Sequence, residues 1–222
     1  MCGRYSLATD VGSLEERFGF EGPDLPHQPR FNIAPSQEVL TVISDGSWKR
    51  AGLMRWGLIP SWAKDASIGN RMINARAETL AQRPAFRPAL QRRRCLIVAD
   101  GFYEWMRIGK SRVPMRIILK SGEPFAFAGL WERWRSPEDV WVHSCTIITT
   151  TPNEVMAPIH SRMPVVLSRD AEGVWLDTRI ADIASLGHLL VPFSAAAMEA
   201  YPISSLVNSP SVDSPEVIAR VD

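Results

Sequence analysis

The 222-residue chain has a formal net charge of +1, 45% apolar and 22% charged residues, the balance of a globular protein able to bury a sizeable core. No apolar run is long enough to span a bilayer, and the charge at Arg4 precedes any apolar block, so neither a membrane span nor a secretory leader is expected. Three cysteines (Cys2, Cys95 and Cys145) lack metal-binding spacing and leave one thiol unpaired in any disulfide scheme, which points to a reducing cytoplasmic setting without metal or cofactor.

In chain order, a helix is expected around residues 10–19, where Leu14 and Phe18 recur at helical spacing. "EVLTVIS" (38–44) reads as a strand. "RAETLAQRPAF" (76–86) reads as a short helix, and "RCLIVADGFYEW" (94–105) as one continuous strand. "MRIILK" (115–120) and "FAFAGLWERW" (125–134) flank Ser-Gly-Glu-Pro and predict a hairpin. "CTIITT" (145–150) and "MPVVLS" (163–168) add strands. Ser168 is a good N-cap for a helix in "SRDAEGVWLDT" (168–178), and another helix is expected in "DIASLGHLL" (182–190). No repeat or linker divides the sequence. The expectation is one α+β domain over residues 1–222, with mostly antiparallel sheet, a distorted open barrel as one form it can take, and flanking helices.

Charge is unevenly distributed. Between Arg71 and Arg94 there are seven arginines and one acid, Glu78, whereas from Val165 onward eight acids face three arginines. Arginine suits phosphate and flat rings, so this region could form an anion-binding face; pairing with the acidic C-terminal segment is the alternative.

Four stretches place polar residues among apolar ones, where burial is costly unless they are paired or used. They are "RFNIAPSQ" with Asn32 and Pro35, "MINARAET" with Asn74, Arg76 and Glu78, "ADGFYEW" with Glu104, and "APIHSRMPVVL" with His160 and Arg162. Taken singly, Asn74 could cap a helix, Glu104 could pair with an arginine and His160 could be structural. Trp56 and Trp62 of "WGLIPSW" could be core aromatics or, if exposed, stack on bases. Cysteine, histidine, asparagine and glutamate are also the residue types of a thiol-nucleophile site. Cys2 adds a special possibility: with Met1 removed, an α-amine and a thiol stand on adjacent carbons.

"MCGRY", "RFNIAPSQ", "MRWGLIPSW", "INARAET", "ADGFYEW" and "IHSRMP" occur in one order from residue 2 to about 167. In this the chain resembles the SOS response-associated peptidase family, whose members are also described as abasic-site processing proteins. The resemblance implies loss of Met1 and reaction of Cys2 with the aldehyde of an abasic site in single-stranded DNA, closing a thiazolidine crosslink. It further implies active-site roles for Asn74, Glu104 and His160. Arg4, Asn32, Arg76 and Arg162 would lie along the DNA path, and Pro35 and Trp62 would wedge or stack against bases. A DNA-associated monomer is expected. The competing readings are a thiol peptidase using Cys2 and His160, and a non-covalent module binding DNA or modified bases.

Overall fold

The computed structural model describes residues 2–20, 26–180 and 182–221. Its strands are β1 (Tyr5–Leu7), β2 (Arg30–Ile33), β3 (Glu38–Ser44), β4 (Lys49–Trp56), β5 (Asn74–Arg76), β6 (Arg94–Ala99) and β7 (Gly101–Ile108), followed by β8 (Ser111–Leu119), β9 (Phe125–Arg135), β10 (Trp141–Thr150), β11 (Met163–Pro164), β12 (Val166–Leu167) and β13 (Met198–Pro202). Helices α1 (Val11–Phe18), α2 (Arg87–Arg92) and α3 (Arg169–Leu176) flank them.

The expected α+β domain with mostly antiparallel sheet is what forms. One sheet runs β13-β8-β7-β1-β2, and the other runs β11-β10-β4-β3-β6-β9-β12. Because β10 also pairs with β9, the strands β10, β4, β3, β6 and β9 close on themselves as a five-stranded barrel. The closing seam is a short parallel contact, Ser144 opposite Arg55 and Cys145 opposite Trp56. Inside, Tyr5 meets Trp56 and Phe127 edge-on at ring distances of 5.3 and 5.7 Å, a geometry that matches ring edge to ring face.

Helix α1 forms as expected: Asp10 caps it by accepting from Ser13 N at 3.0 Å, and Gly19 ends it at φ +66°. Ser168 caps α3, and a bidentate pair from Arg17 to Glu172 (3.0 and 2.7 Å) ties α3 to α1.

Four local expectations are corrected. The stretch 94–105 is two strands in different sheets. At the break, Asp100 accepts from Ala8 N, Thr9 N and Ser6 Oγ, and a Cβ on Gly101 would lie 2.7 Å from Arg116 Nε. The 115–131 hairpin does not form: β8 pairs with β7 and β13, whereas β9 pairs with β6, β10 and β12. A turn sequence shows that the chain bends but not which strand waits beyond the bend. Residues 76–86 hold only a 3-10 turn at Ala77–Thr79, and the α-helix starts at Arg87, with a proline in its first turn. Residues 182–190 form a 3-10 helix, Ile183–Leu189, rather than an α-helix.

Two loops that frame the later site are locked by paired glycines. A Cβ on Gly57 (φ +129°) would fall 2.6 Å from Gly69 O, and one on Gly69 would fall 2.6 Å from Gly57 O. Gly57→Ala is expected to destabilise by roughly 2–4 kcal/mol, from steric overlap plus left-handed strain. Thermal unfolding followed by circular dichroism checks this, and an unchanged midpoint would show that the loops are free to separate.

Candidate active site

The antiparallel register of β1 on β7 sets the first half of the site. Tyr5 lies opposite Phe102, and Tyr103 N donates to Arg4 O at 3.0 Å. Carried outward, that register puts Gly3 beside Glu104 and Cys2 at the mouth of the sheet. Cys2 is completely buried in the chain that still carries Met1, and its Sγ is directed at Arg4 O, 3.8 Å away. Met1 itself lies outside the described residues.

The other half comes from β10. Strand β5 runs parallel to it, Asn74 opposite Ile147 and Arg76 opposite Thr149, which carries Asn74 to Cys2: its Nδ2 donates to Cys2 O at 2.8 Å. Asn74 Oδ1 is buried without a hydrogen-bond partner among the described residues, an arrangement that costs about 1–3 kcal/mol unless a donor arrives. After β10 the chain makes a tight excursion, in which Asn153 Oδ1 accepts from Met156 N and Met156 O accepts from His160 N at 2.9 Å. It then returns as β11, with Met163 opposite Thr150. This brings His160 to Glu104, close enough for the two charges to interact. His160 Nδ1 lies 3.0 Å from Arg162 N and 3.1 Å from Arg162 O, so the Arg162 backbone orients the ring in either tautomer.

The four expected reactive residues therefore converge on one place. Burial raises the Glu104 carboxyl above its ordinary range, with the positive amino terminus and His160 opposing. Burial likewise pushes the Cys2 thiol up, and the nearby Glu104 carboxylate pushes it further. Burial thus shifts both groups toward their protonated forms. Among the described residues, no three His, Cys, Asp or Glu side chains gather as a metal site would require.

The residues expected along DNA divide into two kinds. Asn32 is fully buried and its amide is used internally: Nδ2 donates to Ser209 O and Val212 O at 2.9 and 2.8 Å, and Oδ1 accepts from Arg4 at 2.8 Å. It anchors Arg4 and the C-terminal segment and presents nothing to solvent. Arg4 also donates to Val207 O at 2.7 Å. Arg162 is held by a bidentate pair to Glu78 (2.9 and 3.0 Å) and by Thr149 O. Pro35 leads a turn in which Gln37 N donates to Ala34 O and Ser36 takes φ +73°. That turn is braced by Arg55 on Ser36 O, and Ser36 Oγ meets Asn70 Oδ1, in the loop that carries Arg71.

Trp62 is 61% exposed, too open to be a core aromatic. It lines a groove of about 500 Å³ with Arg71, Asn74, Arg76, Arg83 and Phe86, so the groove ends at the residue that holds Cys2. Arg71, Arg83 and Phe86 were not singled out in the sequence. The arginine excess signalled them collectively, but only the turns between Thr79 and Arg87 decide which of them face inward. Of the seven central arginines, Arg94 is buried, donating to carbonyls at the ends of α2 and α3, among them Leu90 O and Trp175 O. Arg93 pairs with Glu132 at 3.0 Å. The other five are exposed and make no direct ion pair among the described residues. The C-terminal acids Glu172, Asp177, Asp213 and Glu199 pair with Arg17, Arg179, Arg30 and Arg220 instead. Among the described residues, no central arginine forms an ion pair with the acidic C-terminal segment.

A β-rich domain in which a buried cysteine near the N-terminus meets an asparagine, with a glutamate and a histidine beside it, joins a thiol site to an arginine-lined groove. The family model described as SOS response associated peptidase (SRAP) matches residues 1–210, and the chain belongs to that family. It is 52% identical over 221 residues to the abasic site processing protein YoqW of Bacillus subtilis, covering 98% of this chain and 99% of that protein. It is 28% identical over 232 residues to the abasic site processing protein HMCES of Xenopus tropicalis, covering 90% of this chain and 69% of that protein. A crystal structure of a protein from Bacteroides thetaiotaomicron superposes with a TM-score of 0.91 at 26% identity, covering 99% of this chain and all of that one.

Proposed function

We propose that this protein processes abasic sites in single-stranded DNA by closing a thiazolidine between the lesion aldehyde and Cys2 once Met1 is removed. The observation that carries the reading is the junction at Cys2: Asn74 grips its carbonyl, Glu104 lies across the strand, and an arginine–tryptophan groove leads to it. The printed names of the relatives point the same way.

The chemistry follows from the groups. An α-amine titrates near about 7.7–8.0, far below lysine, so a useful fraction is neutral and nucleophilic at physiological pH. It adds to the ring-opened aldehyde; loss of water gives an imine. The neighbouring thiol then adds to the imine carbon, its proton passing to the nitrogen, and the five-membered ring closes with one water released overall. Asn74 Oδ1, buried with no hydrogen-bond partner among the described residues, suits an amine N–H of Cys2. Glu104, whose protonated form burial favours, can give a proton to the departing hydroxyl and take one back. His160 Nε2 serves the sugar oxygen as the deoxyribose opens. Arg76 and Trp62, with Arg71 and Arg83, hold phosphates and bases, giving salt-sensitive binding that ignores sequence. Pro35 and Trp62 occupy space a continuous duplex needs, which favours a single strand.

The test is a denaturing gel and intact mass after mixing the protein with an abasic oligonucleotide. The expected species has lost one methionine and gained the oligonucleotide less one water; absence of any denaturant-stable adduct would sink the proposal. A nicked strand on the same gel would report β-elimination from the imine. A thiol peptidase, the activity in the family's description, needs a thiolate, and burial beside Glu104 opposes one. A non-covalent module would bind and then fall apart in denaturant.

A further inference from the structure

Glu104 and His160 also line a second groove, of about 430 Å³, which shares no lining residue with the Trp62 groove and includes Trp105, Arg107 and Arg112. Arg107 and Arg112 are directly opposed across the β7–β8 hairpin, and Lys110 sits in its turn. All three are exposed and none makes an ion pair among the described residues. Like charges directly opposite one another on adjacent strands destabilise a hairpin, so the pair is a cost to the fold that an anion between them would relieve. Trp105 is half-buried and held edge-on by a bond from Nε1 to Asn208 Oδ1 at 2.8 Å. Asn208 O also accepts from Arg4 at 3.4 Å, which links this hairpin to the N-terminal residues of the site.

We propose that the tip of this hairpin is a second DNA-binding arm: Arg107 and Arg112 clamp a backbone phosphate of the strand leaving the lesion on the side opposite the Trp62 groove, and Trp105 offers a face to the adjoining base. The abasic sugar then sits between two basic arms, and full affinity needs DNA on both sides of it. The inference rests on the proposed reading of the site for its lesion, but not for its binding of single strands. Arg107 and Arg112 alternate with Met106 and Val113, so a strand pattern alone would class them as solvated polar positions.

The test compares wild type with the double variant Arg107→Ala, Arg112→Ala on three oligonucleotides of equal length, with the abasic residue central, near the 5′ end or near the 3′ end. For the central lesion, non-covalent affinity is expected to fall roughly five- to tenfold, and the salt slope of log K to shrink by about 0.7, the value for one neutralised single-strand phosphate. One of the two end-lesion oligonucleotides, the one with no strand to offer the hairpin, is expected to bind both proteins equally. Equal binding of all three by both proteins, or equal loss on all three, overturns the arm. The salt slope on an undamaged single strand is read in parallel and should shrink by the same amount. That measurement needs no crosslink, so failure of the Cys2 chemistry and failure of the arm are distinguishable. Thermal midpoints control for folding and are expected to hold or rise as the repulsion between the arginines is removed.

Discussion

A Cys2→Ala variant is expected to bind abasic single-stranded DNA within a few-fold of wild type and to give no adduct that survives heat and denaturant. The two halves of this expectation arise from different parts of the structure. Affinity comes from arginines and Trp62 spread along the groove, none of which depends on the thiol. Permanence comes from the thiol alone. The alanine variant keeps a terminal amine and can still form an imine, but imines hydrolyse, so borohydride should trap what denaturant would release. In the native residue, amine and thiol are fixed on adjacent carbons, and intramolecular closures of this kind reach effective molarities of about 10⁵–10⁸ M. Cys2→Ser retains the spacing with a weaker nucleophile and should resemble alanine after denaturation. One residue added ahead of Cys2 converts the amine to an amide and should abolish both imine and adduct while leaving binding intact. An undiminished band with alanine at position 2 would mean that another nucleophile does the work.

Glu104→Gln is expected to slow adduct formation about 100- to 10,000-fold, the usual contribution of a positioned general acid–base group, with binding unchanged. The pH profile provides the sharper check. For wild type, the rate should climb as the amine deprotonates and fall again where Glu104, whose carboxyl burial holds above the ordinary range, loses its proton. The glutamine variant should keep only the rising limb. Stability should move in the opposite direction. A carboxyl whose folded pKa lies above its unfolded value binds more protons in the native state, so its ionisation destabilises the protein as pH rises from the ordinary carboxylate range through the raised value. Glu104→Gln removes that penalty and should melt higher than wild type above this window, converging with it below. A variant that is slower, flatter in pH and more stable at neutral pH is the signature of a residue kept for chemistry at the expense of the fold. A variant that is merely less stable, with an unaltered pH profile, would place Glu104 among the structural groups.

The site was more legible in the sequence than the fold around it. Asn74, Glu104 and His160 each sit in a short stretch where a polar residue interrupts apolar neighbours, and Cys2 stands out by its place directly behind Met1; both features can be read locally. What could not be read locally was partnership. Asn32 has the same sequence signature as Asn74, yet its amide is consumed by carbonyls near position 210, while Asn74 meets Cys2. Arg94 looked like one more member of a basic face, and it is the buried cap of two helix ends.

By itself the sequence determined the α+β class, the helices at α1 and α3, the existence of an arginine excess, and the pairing of amine and thiol that Cys2 can offer. These depend on side-chain period, capping residues and covalent connectivity, all of which act over a few positions. Only the tertiary structure decided that residues 94–105 divide between two sheets, that β8 and β9 part company after their turn, that the barrel closes through β10, and that arginines 71, 76 and 83 face one groove while 107 and 112 face another. Strand pairing joins residues far apart in the chain, and its free energy lies in which edges and faces remain to be covered once every other strand has been placed.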